Sequence, residues 1–508
     1  MKNKGNNRLG TIMRILFIAF LFLIQIAFMI LLTYFLKNHA VIVYTFIEVL
    51  SVIVLMHLMA EERNSAYKMF WMTIVLLLPI VGHIMYDFWG KKHSNLRKHS
   101  LIQKQIDRVN YKQITDDEIL YNMDNIDAQR LSSYLTNYHY PPYKNNITKF
   151  FFSGDTAYKN IKEDIRNAKK FIFISVYTVS KGKVLDEIYE LLKEKAKEGV
   201  EVKIIYDDIG SILNIPKGLK EHLEEIGMEV TVFNEIHKNA FKQYYNYRSH
   251  QKIIVIDGNI SYTGGFDLKD SFINLQENEI YNKDCAVRTE GESTWSFTLI
   301  FIGMWNAATD NKITEFEKYK NSYEMKCGIV CQPFADGPAN YVHIAEDMYK
   351  YLISTARRTL YLTTPYLNPD DEMVDCLCLA AKSGVDIRII TPKVFDKKAS
   401  KYLSEYNFGR LLKNGVRIYE YNKGLIRSKI ILNEFASIVG TINMNFRSFY
   451  LHYECGNFIP DTEFTNELKY EIFELLKDCD EITFDEWIHR SKKTKVIQYV
   501  LNIFKSQL

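Results

Sequence analysis

The run His250-Gln251-Lys252-Ile253-Ile254-Val255-Ile256-Asp257 places an imidazole, an ammonium and a carboxylate around a short apolar segment. Residues 253–256 are β-branched and uninterrupted, which predicts a buried strand. Side chains two positions apart on a strand point to one face, so His250 and Lys252 should project together from a sheet edge. A nucleophilic nitrogen beside a fixed positive charge is suited to attack on an anionic phosphate diester.

Beyond about residue 145 the chain repeats itself. A basic turn and apolar strand at 168–174, Ala-Lys-Lys-Phe-Ile-Phe-Ile, reappear at 356–362 as Ala-Arg-Arg-Thr-Leu-Tyr-Leu. In each copy a segment with helical periodicity follows and ends at a glycine, Gly199 or Gly384, before another strand. Strands alternating with helices in both copies predict an α/β fold in which helices cover the sheets.

The second copy also carries an altered version of the opening motif. It reads Arg427-Ser428-Lys429-Ile430-Ile431-Leu432-Asn433-Glu434. Lys429 keeps the place of Lys252, whereas an arginine replaces the histidine and a glutamate replaces the aspartate.

The N-terminal region is apolar enough to enter a membrane. Residues 15–36 and 40–59 each have the length of a transmembrane helix, whereas the apolar stretch 69–89 is interrupted by Pro79, Gly82, His83 and Asp87. Basic residues flank this region on both sides: Lys2, Lys4, Arg8, Arg14, Lys91, Lys92, Arg97 and Lys98. The positive-inside rule then predicts a multi-pass protein of the cell membrane with two spans, a non-spanning third stretch and a cytoplasmic catalytic region.

Composition narrows the class of protein. Lysine and arginine total 64 against 61 acidic residues, and this near-balance gives no reason to expect a nucleic-acid partner. None of the seven cysteines has the spacing of a zinc site, which is typical of reduced thiols facing the cytosol. Residues 481–508 form a basic amphipathic tail, suited either to an anionic lipid surface or to packing on the domain.

These motifs resemble the phospholipase D superfamily and, within it, the bacterial cardiolipin synthases. The segments that carry the resemblance beyond the two motifs are 206–211, 246–250, 263–265, 283–284, 364–366 and 443–456. The resemblance implies two tandem phospholipase D-type repeats with a pseudo-two-fold axis, preceded by a transmembrane hairpin. The expected divisions are 1–92 membrane anchor, 93–144 linker, 145–320 first repeat, 325–480 second repeat with a degenerate motif, and 481–508 tail.

The resemblance also implies an activity and roles for residues. In that family one histidine attacks the lipid phosphorus, and the opposite histidine protonates the departing alkoxide. The implied function is a membrane-bound phosphatidyltransferase that joins two phosphatidylglycerol molecules into cardiolipin, releases glycerol, and needs no metal or other cofactor. The matching residues are His250 as nucleophile, Lys252 and Lys429 as phosphate clamps, Asp257 and Glu434 as the carboxylates that orient each motif, and Asn443 as an amide ligand of the substrate.

The chain departs from the family pattern where the second histidine should be. Arg427 cannot release a proton near neutral pH, although it can bind substrate and stabilise charge on the phosphate. Asp267 stands where the family has a substrate-binding asparagine, and His452 is the nearest replacement for the missing acid.

Several hypotheses therefore stay open. The chain is either a working enzyme with a reassigned acid or an impaired protein that binds lipid, as a homo-oligomer or beside an active cardiolipin synthase. A phosphatidylserine synthase or a nuclease on the same fold is a further alternative, and the balanced charge and membrane hairpin argue against the nuclease.

Overall fold

The computed structural model describes residues 2–31, 34, 40–90, 96–111, 113, 116–236, 243–275, 280–321, 328–338, 340 and 342–507. The helices are α1 Lys2–Leu31, α2 Ala40–Ala60, α3 Ser65–Leu77, α4 Val81–Met85, α5 Leu96–Asn110, α6 Asp117–Tyr121, α7 Ile126–Asn137, α8 Gly154–Asn167, α9 Lys183–Lys197, α10 Asp208–Ser211, α11 Leu219–Glu225, α12 Thr294–Ala308, α13 Ile344–Thr355, α14 Asp371–Lys382, α15 Lys398–Lys413, α16 Phe446–Tyr450, α17 Thr462–Leu476, α18 Phe484–Ile488 and α19 Lys492–Ile503. The strands are β1 Tyr143–Phe151, β2 Phe171–Val176, β3 Glu201–Asp207, β4 Glu229–Phe233, β5 Arg248–Ser249, β6 Ile253–Ile256, β7 Ile260–Gly264, β8 Tyr281–Lys283, β9 Ala286–Gly291, β10 Ile329–Asp336, β11 Thr359–Thr363, β12 Asp386–Pro392, β13 Arg417–Tyr421, β14 Gly424–Ile426, β15 Ile430–Leu432, β16 Ser437–Gly440, β17 His452–Ile459 and β18 Cys479–Ile482.

The strands form two halves that follow a similar order outward from one shared boundary, here called the seam. From the seam outward, the first half runs β1-β9-β7-β6-β2-β3-β4 and the second runs β10-β17-β16-β15-β11-β12-β13-β18. The seam is the antiparallel pair β1 and β10. In each half three successive strands, β2-β3-β4 or β11-β12-β13, are parallel, and the strands between them and the seam are antiparallel. Strand β18 pairs antiparallel with β13 at the edge of the second half. The predicted α/β fold with two phospholipase D-type repeats is confirmed.

The parallel strands are joined by helices whose apolar faces cover the sheet. In α9 the buried residues are Val184, Leu185, Ile188 and Leu192, which is the periodic stripe that the sequence predicts. The glycines that follow α9 and α14 have φ values of +90° and +96°, so Gly199 and Gly384 end these helices in the left-handed conformation. Each half is thus a set of strand–helix–strand units.

The segment 93–144, which was predicted as a linker, is folded over its described residues. Its helices α5 and α7 bury Ile102, Val109, Leu131 and Leu135 in the main core. Helix α5 packs along α12 of the first half, which is apolar on all sides and almost wholly buried, whereas α7 packs on β10 and α13 of the second half. This part of the chain contacts both halves and is more than a connection.

The N-terminal region differs from the expected hairpin. Among the described residues, one helix is long and apolar enough to cross a membrane, Val41–Ala60. The apolar part of α1, Leu16–Phe28, is too short to meet the same criterion. The described residues therefore do not support two spans. The stretch 69–89 breaks as expected, because α3 ends at Leu77, two residues before Pro79.

Helix α3 is fixed to the globular body at its start and near its middle. Asn64 caps its start and also donates from Nδ2 to Asp370 Oδ2 at 2.8 Å and to the Tyr450 hydroxyl at 3.0 Å. Further along, Phe70 packs edge-to-face on Phe504, which follows α19, with ring centroids 5.6 Å apart. The chain just after the candidate span is therefore part of the folded core.

Gly264, the last residue of β7, lies against the backbone that leads into β9, and this close contact can be tested. A methyl group on Gly264 would overlap the carbonyl of Cys285 on the way into β9, whereas one on Gly199 would have no atom within 4 Å. Both glycines have positive φ, so Gly199→Ala should cost about 1–2 kcal/mol from backbone strain alone. We expect Gly264→Ala to cost a further ~1–3 kcal/mol from overpacking, measured by thermal unfolding in detergent. Equal losses for the two variants would contradict this packing.

Candidate active site

His250 belongs to the first half but is held by a strand of the second half. It lies between β5 and β6, and β5 pairs in parallel with the start of β17. The backbone N–H of His250 donates to the carbonyl of Tyr453 at 2.9 Å. The motif that the sequence analysis selected therefore lies where the two halves meet.

Glu454 on β17 is the residue that orients the His250 ring. Its carboxylate oxygens lie 2.9 and 3.0 Å from His250 Nδ1. The hydroxyl groups of Thr441 and Ser448 also donate to this carboxylate, which is fully buried. When Nδ1 carries the hydrogen that faces the carboxylate, Nε2 keeps its lone pair and can act as a nucleophile.

Burial sets the protonation of this pair. It lowers the pKa of His250 well below the ordinary value, and the charges of Lys252 and Lys429 act in the same direction. Burial raises the pKa of Glu454 to about 8, although the hydrogen bonds from Thr441 and Ser448 oppose it. The imidazole is therefore neutral at physiological pH, as a nucleophile must be.

The two motif lysines lie close to the nucleophile. Lys252 Nζ donates to the carbonyl of His250 at 3.2 Å and is almost completely buried. Lys429 is equally buried, and burial together with the positive charge of Lys252 lowers its pKa to about 8, although Asp284 opposes this. Two desolvated ammonium groups beside a neutral imidazole favour binding of an anion, which agrees with their expected role as phosphate clamps.

Asp267 contacts the Tyr177 turn and Lys252 through one carboxylate oxygen. Its Oδ1 accepts from the backbone N–H groups of Tyr177 and Thr178 at 3.0 and 2.8 Å, and lies 3.8 Å from Lys252 Nζ. The side chain therefore shapes the Tyr177 turn and balances the charge of Lys252, and its expected role in binding substrate stays a prediction.

Arg427 lies at the equivalent point of the second half. Its backbone N–H donates to the carbonyl of Lys283, as that of His250 does to Tyr453. Its guanidinium donates to Asn282 Oδ1 at 3.3 Å and pairs with Asp396 at 3.1 Å. The guanidinium is a fixed charge at the edge of the site, already partly neutralised by Asp396.

Asp257 and Glu434 lie at the far ends of their strands, away from the reacting groups. Asp257 accepts from the backbone N–H groups of residues 169–171 at 2.7–3.0 Å. Glu434 accepts from those of Arg357 and Arg358 at 2.6 and 3.1 Å. Each carboxylate therefore ties its motif strand to the neighbouring turn, and the predicted catalytic role of both residues is one of positioning.

Asn443, the expected amide ligand, is buried beside the same centre. Its Nδ2 donates to Ser448 Oγ at 3.2 Å, and its Oδ1 has no hydrogen-bond partner among the described residues. Ser448 in turn donates to Glu454, so the amide is linked to the carboxylate that orients His250.

A second imidazole is near the nucleophile. The ring of His452 lies 5.3 Å from that of His250, and Tyr177 meets the His250 ring edge-to-face at 5.0 Å. The donor atoms of His250, His452 and Glu454 lie within 4.8 Å of one another, a set that could hold a divalent cation. The lysine charges act against a cation there, so an anionic group is the better fit.

Sequence reasoning left Glu454 without a role. One signal could have found it, because both halves place an acidic residue directly before a cysteine, Asp284-Cys285 and Glu454-Cys455. Both acids are buried, and burial raises the pKa of each.

The fold and site define a protein with paired phospholipase D-like domains. Residues 161–293 and 349–476 match the sequence family described as cardiolipin synthase, PLD-like domain, and residues 49–91 match that described as phospholipase D-nuclease N-terminal. The chain belongs to the cardiolipin synthase family.

Relatives agree over most of the chain. A cardiolipin synthase 1 of Staphylococcus aureus is 31% identical over 474 residues, covering 88% of this chain and 93% of that protein. An uncharacterized protein of Streptococcus mutans is 33% identical over 454 residues, covering 88% and 98%. The crystal structure of a phosphatidylserine synthase from Haemophilus influenzae has a TM-score of 0.57 at 15% identity, covering 75% of this chain and all of that one, and shows the fold alone.

The protonation of Glu454 gives a prediction about stability. Its pKa is about 8 in the folded protein, well above that of an exposed glutamate, so the folded state binds more protons than the unfolded state below pH 8. Stability from this group therefore falls as pH rises toward about 8. Between about pH 6.5 and 8, above the ordinary histidine pKa, we expect a smaller decline in melting temperature for Glu454→Gln than for the wild type. The same decline in both proteins would contradict the assignment.

Proposed function

We propose that this protein transfers a phosphatidyl group from one phosphatidylglycerol to a hydroxyl of a second, releasing glycerol and forming cardiolipin. The observation that carries the proposal is the contact between His250 Nδ1 and Glu454, which leaves Nε2 free to attack phosphorus. Several relatives that match over most of the chain are named cardiolipin synthases, which supports the choice of lipid.

The charges of the site suit both steps of such a transfer. Nε2 of His250 forms a bond to phosphorus as the bond to the glycerol oxygen breaks, giving a phosphohistidine. The hydroxyl of the second lipid then attacks phosphorus, and the phosphorus–nitrogen bond breaks. Lys252 and Lys429, buried beside His250, stabilise the extra negative charge of each transition state.

The decisive experiment uses full-length protein in vesicles of phosphatidylglycerol labelled with radioactive phosphorus. The wild type should produce cardiolipin and glycerol and carry label on protein. His250→Ala should lose both signals by about 10⁶-fold, the scale for removing a catalytic nucleophile. His222→Asn is the matched control, since His222 is an exposed histidine beside Tyr189, outside the site.

A second candidate function is lipid binding without turnover, alone or beside an active relative. The pairing of Arg427 with Asp396 favours it, because a guanidinium tied to a carboxylate cannot replace an acid. In the same experiment this alternative requires that the wild type retain phosphatidylglycerol and form no cardiolipin. Label on protein in the wild type, lost in His250→Ala, would exclude it.

We further propose that the protein is held at the membrane by α2 and by its C-terminal tail, with the catalytic region on the cytoplasmic side. Helix α19 exposes Val496, Tyr499 and Val500, and Lys492, Lys493 and Lys495 precede or flank them. An exposed apolar strip with adjacent lysines suits the interface of an anionic bilayer.

Fluorescence quenching tests the position of α19. Tyr499 is 58% exposed, so a tryptophan in its place should be tolerated. In proteoliposomes Tyr499→Trp should be quenched by brominated lipids, after subtraction of the wild-type signal. Quenching by aqueous acrylamide alone would show that the helix faces water.

A further inference from the structure

The two halves differ at the position beside each motif. In the second half this position is His452, at the start of β17; in the first half it is Asn282, in β8. Strand β17 pairs with β5 just before His250, and β8 pairs with β14 just before Arg427. His250 thus has a histidine neighbour, His452, and Arg427 has an asparagine neighbour, Asn282.

The environment of His452 is poorly suited to a purely structural role. Its side chain is 8% exposed, and Nδ1 lies 3.4 Å from Glu454 Oε1 without a hydrogen bond of good geometry. A buried polar atom without a partner costs stability unless another state of the site uses it. Burial lowers the pKa of the ring most, and apart from Glu454 the charges nearby are positive: Arg447, Lys252, Arg248 and Lys397. An anion bound beside the ring is therefore favoured.

We infer that His452 is the proton donor and acceptor of the reaction, in place of the histidine that Arg427 replaces. The inference rests on the proposed phosphatidyl transfer and assigns a second catalytic residue to it. Because Nδ1 of His250 and Nδ1 of His452 both face Glu454, their Nε2 atoms lie on the ring edges away from that carboxylate. The rings are 5.3 Å apart, so one bound phosphate can meet both.

The proton balance of the two steps is complete with this pair. When His250 attacks, the departing glycerol oxygen takes the proton from Nε2 of the His452 imidazolium, which becomes neutral. When the second lipid attacks, its hydroxyl proton goes to the same nitrogen as the phosphorus–nitrogen bond breaks. His250 and His452 then return to their starting states, and no other reactant is consumed.

The buried cluster can hold the required proton. The raised pKa of Glu454, about 8, means that the carboxyl and the two imidazoles together retain a proton at neutral pH. In the free protein that proton lies on Glu454, whose Oε1 is 3.4 Å from His452 Nδ1, and binding of the anionic phosphate draws it onto the imidazole of His452. Burial lowers the pKa of His452, as do the nearby cations, and the bound anionic phosphate opposes that shift.

Arg427 keeps a separate function in this arrangement. It always carries its charge, so it can stabilise a phosphate but cannot deliver a proton. Its contact with Asn282 is the counterpart of the contact between the two histidines. The acid is therefore moved within the second half, from position 427 to His452, while a positive charge stays where the acid would have been.

The test compares two leaving groups in His452→Asn, which copies Asn282. Phosphatidylglycerol releases an alkoxide that needs a proton, whereas phosphatidyl-p-nitrophenol releases a phenolate that does not. With phosphatidylglycerol we expect cardiolipin formation to fall ~10²–10⁴-fold, the usual contribution of a general acid. With the nitrophenyl lipid, the first burst of nitrophenolate should change by less than about tenfold. His452→Gln serves as a second variant, and melting curves show whether each is folded.

The outcomes separate this inference from the proposed function. If the variants match the wild type on phosphatidylglycerol, or lose both substrates equally while folded, His452 is not the acid, and the transfer through His250 still stands. If the wild type releases neither glycerol nor nitrophenolate, the proposed function fails and the inference fails with it. His222→Asn should behave as the wild type on both lipids.

Discussion

The contact on which this structure depends joins the buried carboxylate of Glu454 to the imidazole of His250. Burying a carboxylate is costly, and the cost is offset only when its oxygens are well hydrogen-bonded. Two hydroxyl groups and an imidazole provide these bonds. His250, the proposed nucleophile, comes from one half of the chain and Glu454 from the other, so neither half alone assembles the candidate site. The seam between β1 and β10 and the short pairing of β5 with β17 hold the halves at the required separation.

The pseudo-symmetry explains how one side could change its chemistry without loss of the fold. Arg427 and His250 are fixed by the same backbone bond to the opposite half, to Lys283 and Tyr453 respectively. Those bonds do not depend on the side chain. The side chains then diverged as pairs, histidine with histidine on one side and arginine with asparagine on the other. A change at position 250 or 427 is therefore best understood together with the residue beside it in the opposite half, His452 or Asn282.

Sequence patterns predicted the strands, the repeat and the nucleophile because these depend on residues close together in the chain. Helix periodicity and terminal glycines located α9 and α14, and the spacing of His250 and Lys252 located the site. The contact of His250 with Glu454 joins residues 204 positions apart, so the residues around His250 could not reveal it. The signal for Glu454 lies in the acidic residue that precedes a cysteine in both halves. That Asp267 binds substrate stays a prediction, and its two backbone partners in the Tyr177 turn are invisible in the sequence. The folded segment 93–144 was missed because α5 is polar outside the few residues that meet α12.

The attachment of α3 to the catalytic body has a consequence for how a lipid reaches the site. Asn64 bonds to Asp370 and Tyr450, and Phe70 packs on Phe504, within a few residues of the candidate span. If α2 crosses the membrane as proposed, rigid packing rather than a flexible tether sets the distance between His250 and the bilayer. The lipid then has to cover that distance by leaving its leaflet in part. The rate at which its acyl chains leave their neighbours would in that case limit the proposed transfer.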